Sequence, residues 1–340
     1  NMYVAKLARA DCLLAVNIDW GGAFAYAVGT LMLLDDEERR LFKGVLINNM
    51  CSGGGSLGDS LDLVEGMTGV PVLAVLPHVP SLYLPVEDSM DLDQHTAAGS
   101  GTVVAVVRLP MISNFTDFDA LSLEEGVRVI YARTPEDLEM ADAIIVPGTK
   151  NTVQDLLWLK ESGMAMAILS KTRTVPILGI CGGYQMLGRK IFDVHGLEGD
   201  GPSEIDGLGL LDAVTHFDSY DKRTVQVLGC LADGGEVRGY EIHMGRTEGG
   251  EEPLFRLQPD GREEGCWNRE RKAMGTYMHG VFDLPAFRRF FLSMIERRDA
   301  EGTNGMDHDA EIDSSLDRLA AMIEEHLDLD ELLGGDVHGP

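Results

Sequence analysis

The sequence is poor in paired cysteines, in long apolar runs and in positive charge. Five cysteines, at positions 12, 51, 181, 230 and 266 of 340 residues, form no C-x-x-C pair. That excludes a zinc-ribbon or disulfide framework and fits a reducing compartment. No run approaches the roughly 18 uncharged apolar residues that a membrane helix needs, and the opening "NMYVAKLARAD" carries no signal-peptide core. A soluble, cytoplasmic protein with no membrane partner is expected. Lysine and arginine number 28 against 56 acidic residues, a formal charge of −28. Nucleic acid, which is bound through Lys and Arg on its phosphates, is thereby excluded as a partner. Much of the acid lies in the tail from "RRDAEGTNGMDHD" onward, which reads as a solvated surface. Also missing is any G-x-x-x-x-G-K-[ST] segment, the loop that cradles nucleotide phosphates.

What is present is 44% hydrophobic, enough for two globular domains with cores of their own. The chain alternates strand-like and helix-like stretches. "CLLAVNI" (12–18), "KGVLINN" (43–49) and "VPVLAVLP" (70–77) read as buried strands, separated by helices over 21–34 and 58–69, the latter stopped by Gly69. After the polar "DQHTAAGSG" the rhythm restarts with "TVVAVVRLP" (102–110), "VRVIYA" (127–132), an acidic helix in "TPEDLEMAD", "AIIVPG" (143–148), a long amphipathic segment over 152–171 and "VPILGI" (175–180). An α/β fold of parallel sheets is expected, with domains at 1–98 and 99–298 and an acidic linker plus final helix, "SLDRLAAMIEEHLDLDELL", over 299–340.

The segment "ILGICGGYQMLG" (177–188) places Cys181 between a strand and a helix with glycines on both sides. Gly179 and Gly183 permit the sharp turn of a nucleophile elbow. The helix N-terminus favours a thiolate, and the Gly182 amide points toward an oxyanion. Such a thiol needs a proton acceptor. Of nine histidines, His279 in "GTYMHGVFD" sits where a strand-like run ends and is preferred over its rival His243 in "GYEIHMGRT".

"GICGGYQ" (179–185) resembles the Gly-x-Cys-x-Gly-x-Gln motif of class I glutamine amidotransferases. Together with "LPMISNFTDFDAL" (109–121), "VPGTKNTVQDLLWL" (146–159), "GLGLLD" (207–212), "GYEIHMGRT" (239–247) and "GTYMHGVFD" (275–283), it resembles the cobyric acid synthase branch, in order over nearly all of residues 1–295. The resemblance implies a class I amidotransferase domain preceded by a nucleotide domain similar to dethiobiotin synthetase. It implies glutamine and adenosylcobyrinic acid a,c-diamide as substrates, ATP and Mg²⁺ for the synthetase reaction, and four new amides to give cobyric acid. By the same resemblance Cys181 forms the γ-glutamyl thioester, His279 is the acid/base, Gln185 touches glutamine, and amides near Gly148 and at Gly182 form the oxyanion hole. No metal belongs to the glutaminase site. Where related glutaminases carry a Glu two residues after the histidine, this chain has Val281. That leaves a dyad, with Glu241 or Asp283 as possible helpers that read first as structural residues.

The first domain departs from the pattern. "NIDWGG" (17–22) stands for Asp-Ile-Asp-Arg-Gly-Gly, and "INNMCSGGG" (47–55) for Ile-Asn-Lys-Phe-Arg-Gly-Asp. Asn17, Trp20, Asn49, Cys51 and Gly53 thus replace charged residues, whereas Asp19 and Asn48 persist as remnants of a nucleotide site. An ammonium or guanidinium on phosphate has no equal in Asn or Cys. Either the sequence is a fragment, or a separate chain carries the phosphate loop. Two other readings compete: a glutaminase subunit of another amidotransferase, such as one acting on a peptidoglycan precursor, and a non-catalytic corrinoid-binding subunit. For the substrate's carboxylates, Lys222, Arg223 and Arg246 are the basic candidates.

Overall fold

A computed structural model of the chain describes residues 1–51, 57–84, 101–199, 201–220, 222–295, 307–329 and 332. Gly53, His95, His338 and the domain boundaries expected at 98/99 and 298/299 lie outside the described residues. Two compact units emerge, residues 1–84 with 312–340, and residues 85–311.

In the first unit, α1 (Met2–Ala8) leads to β1 (Cys12–Asn17), α2 (Ala23–Leu33), a short α3 (Asp36–Arg39), β2 (Phe42–Met50), α4 (Gly58–Thr68) and β3 (Val72–Pro77). The strands form a parallel sheet in the order β1-β2-β3. Val16, Val45 and Ile47 of the sheet bury themselves against Ala27, Leu31 and Val64 of α2 and α4. Gly69, with φ of 70°, ends α4 in the left-handed turn that glycine adopts freely. Ala74 and Leu76 of β3 pack on Met322 and Leu327 of the C-terminal segment. The final helix, His308–His326, starts before the expected Ser315.

The second unit is built on a six-stranded sheet. In chain order come β4 (Thr102–Val107), a 3-10 turn (Phe115–Phe118), α5 (Asp119–Ser122), β5 (Val127–Ala132), β6 (Ala143–Val146), α6 (Thr152–Glu161), α7 (Met164–Ser170), β7 (Ile177–Ile180) and α8 (Gly182–Leu187). Then follow β8 (Lys190–Phe192), β9 (Glu204–Asp206), β10 (Ala213–His216), β11 (Arg223–Cys230), β12 (Glu236–His243), β13 (Arg246–Gly249), β14 (Phe255–Leu257), β15 (Glu263–Glu264), β16 (Cys266–Asn268), β17 (Ala273–Thr276), β18 (Met278–His279) and α9 (Pro285–Ser293).

The order of the main sheet is β16-β17-β7-β6-β4-β5, parallel except for β16. Both of its faces are covered, which is why its strands read as unbroken apolar runs. Ala105, Val107, Ile144 and Val146 face one core with α6, α7 and α8. Val104, Val106, Ile145 and Leu178 face the other with α9 and the five-stranded sheet β15-β14-β11-β12-β18.

Two expectations are corrected. "TPEDLEMAD" forms only a 3-10 turn, Pro135–Leu138, because the Asp137 carboxylate closes it on the amides of Arg133 (2.8 Å) and Thr134 (2.9 Å). The long amphipathic segment is two helices, broken at Gly163, whose φ of 81° leaves the right-handed helix region. No helix among the described residues is long and apolar enough to cross a membrane.

Candidate active site

Cys181 follows the last residue of β7 and caps α8 with φ 52° and ψ −109°, a strained conformation for a residue with a side chain. The surroundings hold it there. Its amide donates to the Thr276 carbonyl (2.8 Å), and its carbonyl accepts from Gln185 N–H (3.1 Å). The flanking glycines are close approaches: a Cβ on Gly179 would lie 2.7 Å from the Gly183 backbone, and one on Gly183 would lie 1.9 Å from the Val146 carbonyl oxygen.

His279 ends β18, paired with Tyr240 of β12. Its Nδ1 donates to Asp117 Oδ2 at 2.7 Å, and the other oxygen of Asp117 accepts from Gly280 N–H at 2.9 Å. Histidine and aspartate are almost wholly buried, at 1% and 3% exposure. His279 Nε2 is buried with no hydrogen-bond partner among the described residues. Burial opposes a charged ring, but the Asp117 carboxylate and the Cys181 sulfur beside it outweigh burial and push the His279 pKa up to about 10. A ring so placed holds a proton beside the Cys181 sulfur at neutral pH. Tyr240 stacks on the imidazole at 5.2 Å and is itself fixed by Asn114 Nδ2, which donates to its hydroxyl at 2.6 Å.

His243 is built differently. Its Nδ1 donates to the Gly245 carbonyl at 3.2 Å, its ring stacks on Tyr277 at 3.7 Å, and burial pushes its pKa down. Among the described residues no carboxylate hydrogen-bonds to its ring.

Cys181, His279, His243 and Gln185 line one cavity of about 450 Å³, shared with Thr149, Lys150, Thr152, Glu198 and Lys222. Gly148 abuts it, since a Cβ there would stand 2.9 Å from His279 Cε1. Gly182 abuts it too, with Thr149 Cγ2 2.6 Å from the position of a Cβ. The Gln185 amide donates to the Met244 carbonyl (3.0 Å) and the Tyr277 hydroxyl (3.1 Å) and accepts from Thr152 Oγ1 (2.8 Å). One lone pair of its oxygen is left for a ligand.

The acids considered from sequence are engaged elsewhere. Glu241 is fully buried between Arg223 and Arg262, each at 2.6 Å. Asp283, raised to about 7 by burial and then by the Asp117 and Asp309 charges, makes no described hydrogen bond to His279. Val281 is buried in the core. The acid that reaches His279 is Asp117, in the 3-10 turn of "SNFTDFDAL" and 162 positions away in sequence. That stretch stands out as a motif, yet nothing in its spacing points to the histidine. Of the basic candidates, Lys222 lines the cavity, Arg223 is held by Glu241, and Arg246 is paired with Glu248 and, at 3.8 Å, Asp218.

Asp19 and Asn48 belong to the first unit, at the carboxyl ends of β1 and β2. Asp19 accepts from Asn49 Nδ2 and from the Cys51 thiol at 3.9 Å, and His78 Nδ1 meets Asn49 Oδ1 at 2.6 Å. One carboxylate there suits a cation. Among the described residues, however, these strand ends present no lysine or arginine, so they do not by themselves fit the triphosphate of ATP.

Residues 103–287 match the CobB/CobQ-like glutamine amidotransferase domain family. The chain is similar, at 42% identity, to the probable cobyric acid synthase of Methanothermobacter thermautotrophicus, over 98% of this chain and 70% of that protein. It is 40% identical to the cobyric acid synthase of Clostridium perfringens strain 13, over 97% of this chain and 68% of that one. The cobyric acid synthase of Pelotomaculum thermopropionicum is 42% identical, over 98% and 68%.

Proposed function

The chain belongs to the cobyric acid synthase family, and we propose that Cys181, His279 and Asp117 release the amide nitrogen of glutamine for transfer to corrinoid carboxylates. Its function is glutamine-dependent amidation in cobalamin biosynthesis. The observation that carries the proposed site is the buried Asp117–His279 pair beside the strained Cys181.

In this reading the Cys181 thiolate attacks the glutamine carboxamide carbon. The amides at Gly148 and Gly182 stabilise the oxyanion, and Gln185 completes the floor through its oxygen. His279 Nε2 gives its proton to the departing nitrogen, so ammonia leaves and a γ-glutamyl thioester remains. The neutral imidazole then takes a proton from water, which attacks the thioester and frees glutamate. Asp117 holds the ring with Nδ1 protonated and Nε2 aimed at the reacting atoms.

The ammonia is used on the b, d, e and g carboxylates of adenosylcobyrinic acid a,c-diamide. ATP and Mg²⁺ supply the activation of those carboxylates in this reading. The phosphate loop would come from residues outside these 340, either a longer chain or a separate partner chain, with Asp19 and Asn48 bordering the nucleotide site.

Glutamate release by the chain and by Cys181→Ala, with and without the a,c-diamide corrinoid and Mg-ATP, tests the proposal. Thiol-dependent release is expected, with a loss of at least about a thousandfold in the variant. Equal release by both proteins would refute Cys181 as nucleophile. Stimulation by corrinoid and ATP would mark a working synthetase site in this chain, and indifference to them would place that site's phosphate loop elsewhere.

A further inference from the structure

The stretch "VPGTKNTVQDLLWL" carries a buried acid whose hydrogen bonds go to neither Cys181 nor His279. Asp155, in the first turn of α6, is 1% exposed and does not line the cavity. Among the described residues it makes no ion pair, and a carboxylate buried without a cation is costly unless its bonds do something a neutral residue would not.

Those bonds do not serve its own helix. Asn151 already caps α6, accepting from Gln154 N–H at 2.9 Å. Asp155 Oδ2 instead accepts from Met111 N–H at 3.3 Å and from the Thr149 hydroxyl. One oxygen thus joins two segments distant in sequence. The same segments bond to each other: Lys150 N–H donates to the Met111 carbonyl at 3.0 Å, Ser113 N–H donates to the Gly148 carbonyl at 2.9 Å, and Ile112 pairs with Thr149 in an antiparallel bridge. Resting on the glutaminase reading, we propose that Asp155 is a positioning residue for the oxyanion hole, which ties Met111 and Thr149 to one point and so fixes where the Gly148 amide points.

Gly148 sits between these anchors. Its carbonyl is held by Ser113 and its neighbour Thr149 by Asp155, while a Cβ on it would stand 2.9 Å from His279 Cε1. A donor to a developing oxyanion acts only when aimed at it within about 3 Å, so a small rotation of this peptide is enough to lose it. The turn that carries Asp117 is anchored separately. Asp117 N–H donates to the Asn114 carbonyl at 3.0 Å, its carboxylate holds His279 and Gly280, and Asn114 is bonded to Tyr240. Loss of Asp155 therefore reaches the oxyanion hole before it reaches the histidine.

Two reactions of Cys181 separate these roles. Glutamine hydrolysis passes through an oxyanion, whereas alkylation by iodoacetamide displaces iodide at a saturated carbon and forms none. In Asp155→Ala, kcat for glutamate release should fall roughly 10- to 100-fold, as for a misaligned donor, with KM within about threefold of the wild-type value. The alkylation rate at Cys181, read from the mass of its peptide, should stay within about twofold. Asp155→Asn keeps an acceptor oxygen in a side chain of the same shape, so its kcat should lie between those of the wild type and the alanine variant, and it decides the matter if the alanine variant does not fold. Unchanged glutamate release in the variants overturns the inference. So does a parallel loss of hydrolysis and alkylation, or a displaced pH profile of kcat, since either places the effect on Cys181 and His279. Absence of thiol-dependent release from the wild-type chain would instead sink the glutaminase reading itself, and this inference with it.

Discussion

The two units treat their polar residues in opposite ways. In the second unit, Asp117, His279 and Gln185 are buried, and nearly every polar atom they carry is bonded to a named partner. In the first, Asp19 and Asn48 stand exposed at strand ends, and Asp19 is satisfied by its neighbours Asn49 and Cys51. A buried charge survives only within a complete arrangement. An exposed one persists at little cost whether or not anything binds it. Asp117, His279 and Gln185 are thus interdependent, whereas Asp19 and Asn48 should tolerate single exchange.

Breaking the buried arrangement should have the largest effect. Asp117→Asn should lower glutamate release roughly a thousand- to ten-thousandfold, because the ring loses its preferred tautomer and its counter-charge. Steady-state rates across pH are the check, with a shift of the profile separating a positioning role from simple unfolding. Next comes Gly183→Ala, whose methyl would meet the Val146 carbonyl. It should cost about 3 kcal/mol, at the upper end for overpacking, read from urea denaturation.

A smaller effect concerns pH. The native pKa of His279, about 10, lies above its ordinary 6.5, so the native state holds this proton more tightly than the unfolded one. The resulting stability is fully present below about pH 6.5 and is lost as pH rises through about 10. Melting curves should show this decline, and Asp117→Asn should flatten it. Smallest of all, Asp19→Ala should leave glutamate release within about twofold, as exposed substitutions usually change little. A large loss in that assay would erase the contrast between the units.

The parallel sheets were legible because burial on both faces yields runs such as "TVVAVV" that need no tertiary knowledge. The elbow was legible for a similar reason, since Gly179, Cys181 and Gly183 state their constraint within five residues. Asp117 was not, because an acid was sought beside His279 in sequence whereas the fold brings it from the opposite end of the unit. The antiparallel strands were also obscure. β11, "RTVQVLGC", buries few of its side chains and so lacks a clean alternation.

Because Gly183 rests against the Val146 carbonyl, α8 packs directly on the central strand β6 with no side chain between them. The amides from 179 to 183 should therefore belong to the most slowly exchanging class in deuterated water, opening only when the sheet opens. Cys181 is then as durable as the sheet it stands on. On warming, thiol labelling at Cys181 should rise in one step with global unfolding rather than in an earlier local transition.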